Sequence, residues 1–76
     1  MDRYGLICRS IWETPGITQR ELARLLDVSL GTANRLVNEA IGQGLIKNDI
    51  NSNNYSLTEQ GTEYLRPYKV DGALIM

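Results

Sequence analysis

Between Thr18 and Leu45 two amphipathic stretches are separated by only three residues, Asp27-Val28-Ser29. That spacing admits two short helices joined by one tight turn and little else. Thr18 and Glu21 have the spacing of a capping box, the threonine hydroxyl accepting from the third helical amide while the glutamate reaches back to the cap amide. From that start Leu22, Leu25 and Leu26 recur at helical spacing beside Ala23, and Arg20, Glu21 and Arg24 fall on the wet side. Asp27 stands where the chain needs a residue tolerant of positive φ, Ser29 supplies the next N-cap, and Val28 is the expected apolar plug under the turn. Ala33, Leu36, Val37, Ala40 and Ile41 then follow the i, i+3, i+4, i+7, i+8 series of one buried stripe. Left outside are Leu30, Gly31, Thr32, Asn34, Arg35, Asn38 and Glu39, and Gly42 and Gly44 on either side of Gln43 offer two left-handed stops. This is a helix-turn-helix pattern, in which the first helix braces the second.

The flanking residues extend the pattern. Asp2 to Glu13 places Tyr4, Leu6, Ile7, Ile11 and Trp12 at spacings that suit a helix with a broad apolar side and Cys8 on its flank, and Pro15-Gly16 ends it. Ile17 is an isolated apolar residue before the Thr18 cap, either a very short strand or a hydrophobic staple onto Leu22. Leu45 to Ile50 and Asn54 to Leu57 frame the polar turn Asn51-Ser52-Asn53 and predict a β-hairpin. Thr58 caps a last helix that the pattern stops before Pro67, with Tyr64 and Leu65 as its anchors.

At 76 residues the chain holds one small domain, and below about 80 residues a lone core rarely supplies more than roughly 3–5 kcal/mol, so a dimer or a covalent neighbour is expected to help. A single cysteine forms no internal disulfide, and without histidine no Cys/His metal site is expected. A reducing, cytoplasmic setting fits, with no signal peptide behind Met1 and no apolar run of the ~20 residues a membrane span needs. Catalysis and a cofactor are not expected either. No glycine-rich phosphate loop joins a strand to a helix, and the carboxylates are scattered over wet helix faces rather than gathered in an apolar pocket.

Three helices, a hairpin and a short helix behind it, in that order, resemble the winged helix-turn-helix domains of bacterial transcriptional regulators. The stretch TQRELARLLDVSLGTANRLVNEAIGQGLI is similar to their helix-turn-helix, and YSLTEQGTEYL to the strand and helix after their wing. The resemblance implies a mainly α fold with a small β-hairpin, a three-helix bundle plus wing and short C-terminal helix, over residues 1–66. It also implies a sequence-specific module on double-stranded DNA, probing the major groove with residues 30–41, as a homodimer through the first helix or the tail. Two features depart from the family pattern: Asp27 replaces its usual turn glycine, and the neutral Asn51-Ser52-Asn53-Asn54 stands where its wing is usually basic.

The DNA-binding candidates are Ser29, Leu30, Gly31, Thr32, Asn34, Arg35 and Asn38 on the second motif helix, Arg20 and Arg24 on the first, and Lys47 in the hairpin. Arg35 occupies a position where the resemblance implies a base or phosphate contact. Its other reading is an i,i+4 partner for Glu39. Thr32, Asn34 and Asn38 carry donors and acceptors suited to base edges or phosphates and are equally compatible with ordinary wet positions. Ser29 doubles as a cap and as part of a helix N-terminus that favours phosphate, and Arg20 with Arg24 is either a backbone-contacting pair or a solvated one. Charge argues the other way. The net charge is −1, and between Ile17 and Leu57 the cations Arg20, Arg24, Arg35 and Lys47 are balanced by Glu21, Asp27, Glu39 and Asp49, whereas nucleic-acid modules usually carry a basic face.

The tail, Pro67 to Met76, passes into the apolar run VDGALIM, which is similar to the first β-strand of choline-phosphate and sugar-phosphate nucleotidyltransferases. The expectation for residues 67–76 is a linker and apolar strand opening a following domain. The resemblance implies a winged-helix segment preceding such an enzyme domain, as in regulators of a phosphorylcholine operon. An alternative function follows, a protein-interaction or regulatory domain attached to a nucleotidyltransferase and not binding DNA.

Overall fold

In the computed structural model the described residues are 2–49 and 54–75, with side chains described to residue 67. The order is α1 (Arg3–Glu13), α2 (Gln19–Leu26), α3 (Leu30–Gly42), β1 (Ile46–Asp49), β2 (Asn54–Leu57) and α4 (Glu59–Ile75). The strands pair antiparallel in the register Ile46↔Leu57, Lys47↔Ser56, Asn48↔Tyr55 and Asp49↔Asn54. The expected turn Asn51-Ser52-Asn53 lies outside the described residues. Helices plus one hairpin in this order give the expected winged helix-turn-helix architecture.

Local chemistry sets nearly every boundary. Asp2 caps α1 by accepting from the Gly5 amide at 2.7 Å. The capping box of α2 is complete: the Glu21 amide donates to Thr18 Oγ1 at 3.1 Å and the Thr18 amide to Glu21 Oε1 at 3.1 Å. Beyond α2, Asp27 adopts φ 57°, with its amide on the Arg24 carbonyl and the Val28 amide on the Ala23 carbonyl. That pair of bonds is a Schellman motif with aspartate in the usual glycine position. The same device ends α3, where Gly44 at φ 78° donates to the Ile41 carbonyl and Leu45 to the Ala40 carbonyl.

The core gathers Ile7, Cys8 and Ile11 from α1, Ile17 and Leu22 at the start of the motif, Leu36, Val37 and Ala40 from α3, Leu45 and Ile46 entering the hairpin, and Leu65 from α4. Ile17 forms no strand and joins the same cluster as Leu22, as a staple does. Among the described residues no buried side-chain polar atom lacks a hydrogen-bond partner.

Four expectations are corrected. Cys8 lies in the core rather than on a flank, because the buried face of α1 centres on Ile7, Cys8 and Ile11, which leaves Leu6 and Trp12 (49% exposed) outside. Leu25 is 64% exposed: α2 buries Leu22 and Ala23, and at 100° per residue Leu25 falls beyond Leu22 on the side away from Ala23. Val28 is half-buried and stands apart from the core cluster, so it plugs the turn only in part. The last helix does not stop before Pro67. It runs on to Ile75, so residues 70–75 of the expected strand are helical, and Met76 lies outside the described residues. An interior proline costs about 3 kcal/mol in a helix, and α4 carries Pro67 within it, but a helix pairs its own backbone amides and carbonyls without needing a neighbouring strand.

The start of α4 is locked onto the end of α3. The Thr58 hydroxyl accepts from the Gly61 amide at 2.9 Å, donates to the Gly44 carbonyl and lies 3.0 Å from the Leu45 carbonyl oxygen, while Gln60 Nε2 donates to the Gln43 carbonyl at 3.1 Å. Gly61 makes this approach possible, since a Cβ there would stand 1.8 Å from the Leu45 oxygen.

Candidate nucleic-acid interface

The expected recognition residues lie mostly on α3. Its buried stripe of Ala33, Leu36, Val37 and Ala40 leaves Leu30, Gly31, Asn34, Arg35 and Asn38 exposed along the opposite side. Ser29 fixes the first turn, its hydroxyl accepting from the Thr32 amide at 3.1 Å and donating to Thr32 Oγ1 at 3.0 Å. The Thr32 hydroxyl is therefore engaged in the cap. Leu30, 48% exposed, and Gly31 occupy the same turn. Gly31 is helical, and an added Cβ would meet nothing within 4 Å, so nothing in the fold demands glycine there.

Arg35 extends from the second turn and pairs with Glu39, Nη1 to Oε2 at 3.0 Å. The carboxylate is itself held from α1, because the Tyr4 hydroxyl donates to its Oε1 at 3.0 Å. That bond, with the adjacent negative charge, raises the Tyr4 phenol above its ordinary value. The side chains of the Arg35 pair are 60% and 40% exposed, and such a pair contributes only about 0.3–0.5 kcal/mol. Both sequence readings of Arg35 are thus compatible: the ion pair is present, and it is weak enough to open for a better acceptor.

A second network crosses three elements. Asn38 Nδ2 donates to Asn34 Oδ1 at 3.2 Å, Asn34 Nδ2 to Gln19 Oε1 at 3.2 Å, and Gln19 Nε2 to the Tyr55 hydroxyl at 2.8 Å. This amide ladder links α3 to the start of α2 and to the second strand of the hairpin. Sequence reasoning picked out Asn34 and Asn38 but missed Gln19 and Tyr55. The available signal was Tyr55 two residues before Leu57, an aromatic on the inward face of a strand whose hydroxyl must emerge at the rim.

The other candidates stand apart. Arg20 and Arg24 are exposed one turn apart on α2, and Lys47 is exposed on β1 opposite Ser56. Among the described residues none of these three side chains forms a hydrogen bond or ion pair, and their charge is available to an anion. Of the expected neutral wing, only Asn54 falls among the described residues, and it is exposed. No described helix is long and apolar enough to cross a membrane.

A family model described as winged helix-turn-helix DNA-binding matches residues 6–47, more than half of the chain. The chain belongs to this family. The match covers most of α1, the whole helix-turn-helix and the first residues of β1, and so includes every candidate residue above except Tyr55 and Asn54. As a winged helix-turn-helix domain the chain is a DNA-binding module, and such a domain is not itself catalytic. No curated protein and no solved structure matches the chain.

Proposed function

We propose that the chain is the DNA-reading part of a transcriptional regulator, inserting α3 into the major groove and discriminating sequence with Arg35 and Asn38, with Asn34 beside them on the same face. The observation that carries this reading is the division of α3 into a buried stripe and an opposite exposed face of hydrogen-bonding residues, on a helix capped at both ends and braced by α2. Leu30 and Gly31 provide a close, apolar approach at the first turn, suited to a thymine methyl. Ser29 and Thr32, with Arg20, Arg24 and Lys47, serve the phosphates. The domain acts as a homodimer through α1, with half-sites about 34 Å apart or a multiple of that, and a small core gains most from such pairing.

The reading is tested by electrophoretic shift of duplexes from the surrounding operon at low and high salt. A shifted complex that survives nonspecific competitor, with a slope of log K against log salt no steeper than roughly −4 per protomer, is expected. No shift at ~50 µM protein in low salt removes it, since nonspecific binding alone ordinarily falls between about 1 and 100 µM. The alternative, an interaction domain attached to a nucleotidyltransferase and not binding DNA, draws on the net charge of −1. The helical backbone of residues 70–75 gives the enzyme attachment no support.

A further inference from the structure

The amide ladder has one closed end and one open end. At the closed end the Tyr55 ring is half-buried against the core and its hydroxyl accepts from Gln19. Each step inward uses one N–H of one amide and the carbonyl of the next. At the open end Asn38, exposed on α3, spends a single N–H on Asn34. Its second N–H and its carbonyl oxygen form no other hydrogen bond among the described residues.

We infer that Asn38 reads an A·T base pair in the major groove, with Asn34, Gln19 and Tyr55 as positioning residues that hold its amide plane. This rests on the DNA-binding reading above. A primary amide with one N–H and its carbonyl free matches the adenine edge, where N7 accepts and N6–H donates. Guanine presents two acceptors and sets O6 against the Asn38 carbonyl; cytosine offers no acceptor for the N–H, and thymine no donor for the carbonyl. In the bound arrangement the N–H beside the carbonyl faces the base while the other stays on Asn34. An exposed asparagine on a lone helix turns freely about its side-chain torsions. The ladder removes much of that freedom before binding, which is how preorganised hydrogen bonds add discrimination.

The test is selection from a randomised duplex library by the wild type, Asn38→Ala and Tyr55→Phe, followed by affinity measurements on the selected site and on nonspecific duplex. The wild type is expected to prefer A over G by about tenfold or more at one position, and Asn38→Ala to lose that preference there alone. Tyr55→Phe keeps the ring in the core but removes the ladder's last acceptor. It is expected to reduce the preference several-fold while nonspecific affinity and melting temperature stay nearly unchanged. A merely structural role for Tyr55 would lower specific and nonspecific binding together, and that outcome overturns its assignment as a positioning residue. An A·T preference that persists in Asn38→Ala, or selected sites with no A·T pair that depends on Asn38, overturns the inference while leaving DNA binding standing. A wild type that enriches no sequence removes both readings.

Discussion

The Tyr4 hydroxyl donates to the Glu39 carboxylate across 35 positions of sequence, tying the first helix of the domain to the side chain that also holds Arg35. Arg35 is therefore oriented by two elements, α1 and α3. Arg35→Ala is expected to weaken specific DNA binding by about 1–3 kcal/mol, while stability to urea changes by no more than the ~0.5 kcal/mol of an exposed helical ion pair. Competition titrations against nonspecific duplex check this, and an unchanged specificity ratio would remove Arg35 from the set of base-reading residues.

Gly31 separates folding from function. The fold has open space for a Cβ at this helical position, so Gly31→Ala is expected to raise stability by up to about 1 kcal/mol. The same methyl stands between the first turn of α3 and the groove. Binding should weaken several-fold in a protein that melts higher, and a variant that is both more stable and equally tight would show that no close approach occurs there.

Gly61 behaves in the opposite way. With the Leu45 oxygen 1.8 Å from an added Cβ, Gly61→Ala must push α4 off the end of α3, and a loss of about 1–3 kcal/mol or more is expected. Calorimetry should show a fall of about 4–8 °C in Tm for each kcal/mol in a domain of this size. An unshifted transition would mean that α4 is not seated on Leu45.

Asp2 links acid stability to the closure of α1 on α4. Its carboxylate accepts from the Tyr64 hydroxyl and from the Gly5 amide, and these bonds, the tyrosine first, lower its pKa below the ordinary 3.8. A carboxylate with a depressed folded-state pKa stabilises fully above the unfolded value and loses that contribution as the pH falls from there through the folded value. Asp2→Asn is therefore expected to be less stable than the wild type at neutral pH and to converge with it at pH values below 3.8. Parallel urea midpoints across that range would show that the bond to Tyr64 does not titrate with folding.

Cys8 is wholly buried, and loss of hydration pushes its thiol up to about 11. Disulfide-exchange reagents at pH 8 should modify it only through unfolding, so the labelling rate should rise with urea in step with the unfolded fraction. Rapid labelling in native buffer would place Cys8 at a surface.

The caps were legible because each is a matter of three or four neighbouring residues: Thr18 with Glu21, Ser29 before its helix, Asp27 and Gly44 at positive φ. The stripe of α3 was legible for the same reason, its spacing leaving one solution. Leu6, Trp12 and Leu25 were not, because an apolar residue at the margin of a face is buried or exposed according to what packs beside it. The tail misled because its apolar run is compatible with a strand or with a helix, and residues 70–75 continue α4. Within the candidate interface, Asn34 and Asn38 could be picked by helical position, but their connection to Tyr55 through Gln19 spans 36 positions and exists only once hairpin and bundle are assembled.

That ladder also bears on how a binding site would be found. Strongly basic proteins are drawn to DNA from a distance and reach association rates that fall steeply with salt. Here the exposed face of α3 carries two amides and one arginine already paired with Glu39, and the unpaired charges of Arg20, Arg24 and Lys47 are set against a net charge of −1, so little long-range attraction is expected to guide the encounter. The expected regime is a search limited by orientation, near the unsteered range of about 10⁵–10⁶ M⁻¹s⁻¹, in which right and wrong sites are told apart mainly by how long the complex lasts.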